Sequence, residues 1–468
     1  MRAFWGMLKS RGLITEEKYR RLTRNTPFSD NELSGFIARQ LVETSQSCKI
    51  VTELLKNRYG DNDRVVYVKA GNVSSFRQDQ RLLPDGTHMQ ASACKGINTV
   101  PDPLFVKCRE VNDFHHAKDA YLNIVVGNVY HVKFTRNPVN FIKGKHTYSM
   151  NRMFDFDVIR NGETAWKAGK DGSIVTVRRM MAKNNILFTR YARKATGGLF
   201  DQQLLPKGNG QAMIKSSDSR LTVEKYGGYN KLTGAYFMLV EHTEKKKRVR
   251  SIETVFLMSK AMYERDPIGY CEQILGLVDP RILLREIKID SLVSIDGFRM
   301  HISGRGDVRI LYKNANQLIL SPIQTQYIKQ ISKYMERCKN AKIELEITSF
   351  DGISTENNLA LFNALCEKLD KTCYAIKYGN EASELKKKTD LFRKLTLNKQ
   401  CQVIMQILNM FRANAVTADL SLIEGSKRAG ILRASKNLSG FTGHNYKLIN
   451  QSVTGFFEQE IDLLGDVF

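Results

Sequence analysis

The stretch that most narrows what this 468-residue chain can fold into is Asp113-Phe114-His115-His116-Ala117-Lys118-Asp119-Ala120-Tyr121-Leu122-Asn123. Asn112 and Asp113 are good N-cap residues, and Tyr121, Val125 and Val129 follow at helical spacing. A helix therefore opens here with two histidines and an acid at its mouth. His116 and Asp119 are three residues apart and share a face of that helix. An imidazole beside a carboxylate can hold a hard divalent cation or position a water for attack on a phosphodiester, so the chemistry suggested is metal-assisted phosphodiester cleavage. A plainer account stands beside it, since an acid near a helix start also complements the helix dipole.

The length exceeds one hydrophobic core and implies two or three domains. Apolar content of 42% and nine prolines are ordinary for globular protein, so disorder is not expected. Lys and Arg number 72 against 48 Asp and Glu, and the net charge of +24 favours a polyanionic partner: nucleic acid first, an acidic membrane surface second. No apolar run reaches the length of about 18 residues that a membrane span needs, and Met1 to Gly6 lack a signal-peptide core, so a soluble, cytoplasmic protein is expected. The eight cysteines show neither a C-x-x-C pair nor zinc-like clustering, and are expected to be reduced thiols.

Residues 1 to about 58 read as helical, with a turn at Pro27 to Asp30 and a stripe of Leu33, Phe36, Ile37, Leu41 and Val42 on the helix that follows. Arg64 to Ala70 reads as a buried strand, Asn72 to Gln80 as a turn into a short helix, and 81 to 103 as a loop rich in Pro and Gly. Ser173 to Arg179 reads as a second strand beyond the histidine helix. Together they suggest the later part of an α/β nuclease domain.

From Phe200 onward β signals predominate. Ala235 to Glu241 and Val249 to Phe256 flank Glu244-Lys245-Lys246-Lys247-Arg248 as a hairpin whose basic tip has a solvated turn as its simplest account. Short strands are expected at Leu284 to Ile289, Phe298 to Ile302, Val308 to Tyr312 and Gln317 to Leu320, forming a twisted antiparallel sheet. Ser321-Pro322 opens a helix with core residues Ile323, Tyr327, Ile331, Tyr334 and Met335. More helices are expected near 357–369, 385–395 and 402–411, then short strands at 420–423 and 430–433.

Several stretches resemble, in the family's own order, the RNA-guided DNA endonucleases of type II CRISPR systems. They are Phe36 to Thr44, the His-His-x-x-Asp-Ala-Tyr-Leu-Asn run, Asn161-Gly162-Glu163-Thr164, Thr196-Gly197-Gly198, Leu205-Pro206-Lys207, Lys225 to Tyr229, and Ile449 to Gly455 with Glu460 to Leu463. The resemblance covers nearly the whole chain and matches the C-terminal part of the family. It implies an α+β, multidomain chain: the end of an HNH domain and a linker over 1–35, and the third segment of a split, RNase H-like RuvC domain over 36–194. A β-rich domain with inserted helices then reads the protospacer-adjacent motif (PAM), in two parts, 195–289 and 290–468.

The resemblance makes His116 and His115 catalytic, and Asp119 and His116 ligands of Mg²⁺, with Mn²⁺ as a substitute. The family completes this site with an aspartate and a glutamate from earlier segments, and neither surrounding motif is found here, so the chain alone is expected not to cleave DNA. Asp201, Gln202 and Gln203 fall on a loop that grips the target-strand phosphate. Arg428, Arg433 and Lys436 are candidates for reading guanine, with Ser426 and Lys427 as phosphate or base contacts, although the Arg-x-Arg of the best-known member is absent. Generic phosphate attraction is the competing account of each cation. Lys107, Arg109, Lys118, Arg178 and Arg179 are placed along a channel for the non-target strand. Implied partners are a guide RNA (crRNA with tracrRNA, or a single guide), a target duplex carrying the motif, and the N-terminal part of a bacterial effector. The alternatives are a non-catalytic DNA- or RNA-binding fragment and an unrelated His/Asp phosphohydrolase.

Overall fold

A computed structural model describes residues 2–24, 46–59, 65–66, 68–93, 96–134, 150–184, 190–195, 204–208, 212–213, 220–229, 233–303, 309–313, 318–370, 384–412, 417–427 and 433–465. They fall into two compact units, Met1–Val73 with Asn123–Tyr148 and Val158–Ala165, and Ser74–Leu122 with Ser149–Asp157 and Trp166–Phe468. Helices accompany small antiparallel sheets, the α+β composition expected, and no described helix is long and apolar enough to cross a membrane.

In the first unit, α1 (Arg2–Ser10) precedes α2 (Glu16–Leu22), which Thr15 caps by accepting the Lys18 N–H at 3.2 Å. Glu16 and Glu17 begin α2 and Arg20 and Arg21 end it, so both ends complement its dipole. A third helix, α3, covers 46–59, whereas the expected helix from Asp30 lies outside the described residues. The strand expected at Arg64 to Ala70 is corrected: its described residues 65, 66, 68 and 69 pair with no strand. Val66 and Val68 instead approach the glycine of a helix, since a Cβ on Gly127 would stand 2.5 Å from Val68 Cγ2.

In the second unit, the end of α4 (Ala70–Gln78) leads into β1 (Gln80–Leu82), the centre of an antiparallel sheet with β2 (His88–Gln90) and β3 (Val100–Pro101). This corrects the expected loop over 81–103. The turn residues behave as read, with Gly86 at φ 81° and Asp85 accepting the Thr87 N–H at 2.8 Å, but the paired stretches are too short for alternation to show. Beside them Phe76, Phe105, Phe154 and Trp166 pack edge to face, with centroids 4.5 Å apart for Phe76–Phe154 and 5.1 Å for Phe154–Trp166. Trp166 Nε1–H donates to the Phe154 carbonyl at 2.9 Å, so the ring is buried with its polar atom satisfied.

Helix α5 (His115–Phe134) follows, with Leu122, Val126 and Val129 fully buried at helical spacing. Ser173 to Arg179, expected as a strand, lies in helix α6 (Ser173–Met181). Its β-branched run favours a strand locally, but Ile174, Val177 and Met181 fall on one helical stripe, and burying that stripe overrides the propensity.

The hairpin expected around 235–256 is present as β4 (Gly234–Glu244) and β5 (Lys247–Phe256), with β6 (Val278–Ile287) on the other side of β4. Alternate residues of β4 enter different cores: Phe237 and Leu239 the larger, Tyr236, Met238 and Val240 a smaller one with Tyr263, Tyr270 and Cys271. Both faces are covered, which explains the unbroken apolar run.

Next come β7 (Leu292–Ile295), β8 (Phe298–Ser303), β9 (Arg309–Lys313), β10 (Arg433–Ser435), β11 (Tyr446–Gln451) and β12 (Glu458–Asp462), a six-stranded antiparallel sheet in the order β10-β9-β8-β7-β11-β12. Inserted between β9 and β10 are α7 (Pro322–Ala341), α8 (Thr355–Asp370), α9 (Thr389–Lys394) and α10 (Leu397–Met410). Ser321 caps α7 as expected, its Oγ accepting the Gln324 N–H at 3.1 Å while Gln324 Oε1 accepts the Ser321 N–H at 3.0 Å, but Ile323, expected on the core face, lies in the first turn and is 73% exposed. Two expected strands are corrected: 318–320 joins no sheet, and Ser421–Ile423 is a short 3₁₀ turn.

Asn358, with no exposed surface, joins these helices by accepting the Tyr327 hydroxyl at 2.7 Å and donating to Gln400 Oε1 at 3.2 Å. Asn358→Leu strands the Gln400 carbonyl oxygen in the core and should cost about 2 kcal/mol, read as a lower urea midpoint at unchanged slope. A second test concerns His88, whose Nε2–H donates to Gln80 Oε1 at 2.8 Å. Burial, with Arg178 nearby, pushes this imidazole down to about 4. The unfolded chain therefore takes up a proton that the fold refuses, and stability present above about pH 6.5 is lost as pH falls towards about 4. His88→Gln should flatten that part of the acid limb of thermal stability.

Candidate functional site

The entry to α5 is built from a local turn. Asn112 Oδ1 accepts the Phe114 N–H at 3.1 Å, and the Asp113 and Phe114 carbonyls accept the N–H groups of His116 and Lys118, each at 3.1 Å. Val111 and Phe114 are buried on either side, so the turn is seated on apolar packing. His115 is also buried, and its Nδ1–H donates to the Asn112 carbonyl at 3.1 Å, which leaves Nε2 as the lone-pair nitrogen. Burial holds its pKa below the ordinary histidine value, opposed by the Asn112 carbonyl and reinforced by His116 and Lys107. His116 is exposed, its ring centroid 4.1 Å from that of His115.

One donor atom from each of Asp113, His115 and His116 lies within 4.8 Å of the others. Asp119 is not in this group. Its Oδ1 pairs with Arg77 of α4 and its Oδ2 with Lys107 Nζ at 2.7 Å. Arg77 is 10% exposed and also donates to the Phe105 carbonyl at 3.4 Å. Arg77 was not foreseen, and since it lies 42 positions before Asp119 no local pattern marks it. Asp113 was read only as a cap, although its spacing to His115 and His116 was visible in the chain.

The expected channel cations have separate fates. Lys107 is on Asp119, and Arg178 Nε lies 3.0 Å from the buried carboxylate of Asp102. Burial raises the pKa of Asp102, opposed by the Leu104 N–H and by Arg178. Arg109 and Arg179 are exposed, and the Arg109 carbonyl accepts from Arg412 at 3.1 Å.

Asp201, Gln202, Gln203 and Arg428 lie outside the described residues. Arg433 begins β10 opposite Leu311. Lys427 is exposed, and the Ser426 carbonyl accepts the Leu420 N–H at 3.0 Å. Gly425 permits that close fold-back, since a Cβ would meet the Leu420 side chain at 2.6 Å. Beside it Glu384, Leu385, Lys388, Leu420 and Glu424 line a cavity of about 300 Å³. Lys436 is not turned to solvent: its Nζ lies 2.6 Å from Glu253 of β5, with the two side chains 16% and 7% exposed. Its carbonyl accepts the Ile252 N–H at 3.0 Å, and the neighbouring Asn437 donates to Glu244 at 2.8 Å.

Residues 196–459 match the family profile described as the PAM-interacting domain of CRISPR-associated endonuclease Cas9, and residues 103–157 match the Cas9 RuvC domain. A CRISPR-associated endonuclease Cas9 from Streptococcus mutans is 25% identical over 508 aligned residues, covering 99% of this chain and 34% of the relative. That of Listeria innocua is 24% identical, covering 98% of this chain and 33% of the relative. The chain thus spans about a third of the length of these curated relatives. With both profiles in order along the sequence, and the histidine helix inside the RuvC match, the chain belongs to the Cas9 family and corresponds to its C-terminal, RuvC and PAM-interacting portion.

Proposed function

We propose that this polypeptide supplies part of a Mg²⁺-dependent RuvC centre that cuts the non-target DNA strand, and the domain that reads the protospacer-adjacent motif. The observation that carries the reading is the RuvC match over 103–157, which encloses the Asp113 to Asp119 helix entry. The domain division over 1–35, 36–194, 195–289 and 290–468 belongs to the same reading, as do the guide RNA, the motif-bearing duplex and the N-terminal part of the effector as partners.

Mg²⁺ is a hard ion that takes oxygen ligands in octahedral geometry. Asp119 fits it as one ligand of a larger set and His116 as its neighbour, while further carboxylates would come from polypeptide outside this sequence. When bound, such ions stabilise the attacking and leaving oxygens of the phosphodiester. The chain's own residues do the rest. His116, exposed, can accept a proton from an attacking water, and His115, held by the Asn112 carbonyl, packs against it and limits its ring. Arg77 and Lys107 bring Asp119 the charge of one divalent ion and hold the carboxylate in place. An ion reaching Asp119 in this chain alone has to displace two cations with one carboxylate as reward. That supports cleavage only in the assembled effector, and equally favours the alternative of a nucleic-acid-binding fragment when the chain is by itself.

In the second domain Arg428 and Arg433 are the base readers, with Ser426 and Lys427 beside them. Lys436, spent on Glu253, anchors the segment that carries them, and Asp201 to Gln203 grip the target-strand phosphate.

Purified alone with guide, target and Mg²⁺, the chain should not nick DNA. Adding the remaining part of an effector should restore guide-dependent cutting of the non-target strand, and Asp119→Asn should abolish it. Metal-dependent nicking by the chain alone would overturn the proposal. Arg433→Ala should remove discrimination at one motif position, about 1–3 kcal/mol, in a binding assay over randomised motifs. An equal loss on every sequence would make Arg433 a phosphate contact only.

A further inference from the structure

The geometry points to a second use of the helix entry: Asp113, His115 and His116 form a binding site for one borderline divalent transition ion of the Zn²⁺ kind, with a ligand set that excludes Asp119. The three donors already lie within 4.8 Å of one another, so small side-chain rotations bring them to a common ion. They are fixed from behind, because the Asn112 side chain and the Asp113 carbonyl pin the turn and Phe114 is buried beneath it. His115 has the arrangement usual in metal-binding histidines, one ring nitrogen donating to a carbonyl and the other left to coordinate.

Donor chemistry selects the ion. Two imidazoles and one carboxylate suit Zn²⁺, Co²⁺ or Ni²⁺, whereas Mg²⁺ and Ca²⁺ prefer oxygen throughout. Three protein ligands leave a fourth position for water. Asp119 is committed elsewhere, with one oxygen on Arg77 and the other on Lys107, and the acid whose oxygen lies with the two imidazoles is Asp113. The consequence, which alone rests on the nuclease reading, is inhibitory: an ion held by His116 occupies the lone pair that a proton would need.

The test is a titration of the 468-residue chain with Co²⁺, free of guide and DNA, followed by its d–d absorption and by displacement with Zn²⁺. A single saturable site without thiolate-to-cobalt charge-transfer absorption is expected, which separates it from the cysteines. Asp113→Asn keeps a residue suited to the turn, and His116→Gln changes an exposed position, so both should fold, as far-ultraviolet circular dichroism will show. Each should weaken binding by at least about 10-fold. Asp119→Asn should leave it unchanged. No saturable binding, binding indifferent to Asp113→Asn, or binding lost with Asp119→Asn would each overturn the assignment. Because the readout is metal affinity and not cleavage, its failure would leave the nuclease reading standing, and the reverse holds too.

Discussion

Asp119 is where three stretches of the second unit are tied by charge. Its own helix, the end of α4 through Arg77, and the segment after Phe105 through Lys107 all meet at one carboxylate that is 27% exposed. Half-buried ion pairs of this sort do little for net stability, since desolvation offsets the Coulomb gain, but they are expensive to break one partner at a time. Their effect is positional. Arg77 is more enclosed than Lys107, 10% exposed against 34%, and the Phe105 carbonyl also holds it, so the carboxylate is fixed from one side and reachable from the other.

That asymmetry rests on the aromatic cluster beneath. Phe76 is the neighbour of Arg77 and packs edge to face with Phe105, Phe154 and Trp166, which sets where the guanidinium emerges. The Asn112 turn places the two histidines in the same way, with Val111 and Phe114 as its buried footings. Chemistry-bearing side chains stand on the surface of this unit, and apolar rings a residue away decide their directions.

What could be read from the chain followed the range of the interactions involved. The start of α5 just after Asp113, the N-cap at Ser321 and the hairpin of β4 and β5 are set by residues within a few positions of each other, and each element lies where the sequence places it. Ser173 to Met181 misled because β-branching speaks first in a short window, while the stripe of Ile174, Val177 and Met181 matters only once a core exists to receive it. The β1 to β3 sheet was invisible for the opposite reason, its strands being too short to carry a period. At the site, the histidines and acids were legible as types. The partnership of Asp119 with Arg77 was not, because no pattern links positions so far apart.

The charge of the chain shows the same division. A net +24 announces a polyanionic partner without saying which cations will meet it. Three that looked outward in sequence are spent on acids: Lys107 on Asp119, Arg178 on Asp102 and Lys436 on Glu253. Buried carboxylates in a basic protein recruit the nearest cation, so the outward charge is left to residues with no such neighbour to serve. The Lys245-Lys246 turn is a clear instance. Both residues have positive φ, 47° and 65°, a conformation that costs L-residues about 1 kcal/mol or more each and that glycine or asparagine would adopt more easily. The long ladder between β4 and β5 bears that strain and holds two exposed lysines at the tip. Through Glu244 to Asn437 and Glu253 to Lys436, the same ribbon is bonded to the segment leaving β10. The hairpin that bears the basic tip and the residues that follow the Arg433 strand are thereby tied side chain to side chain.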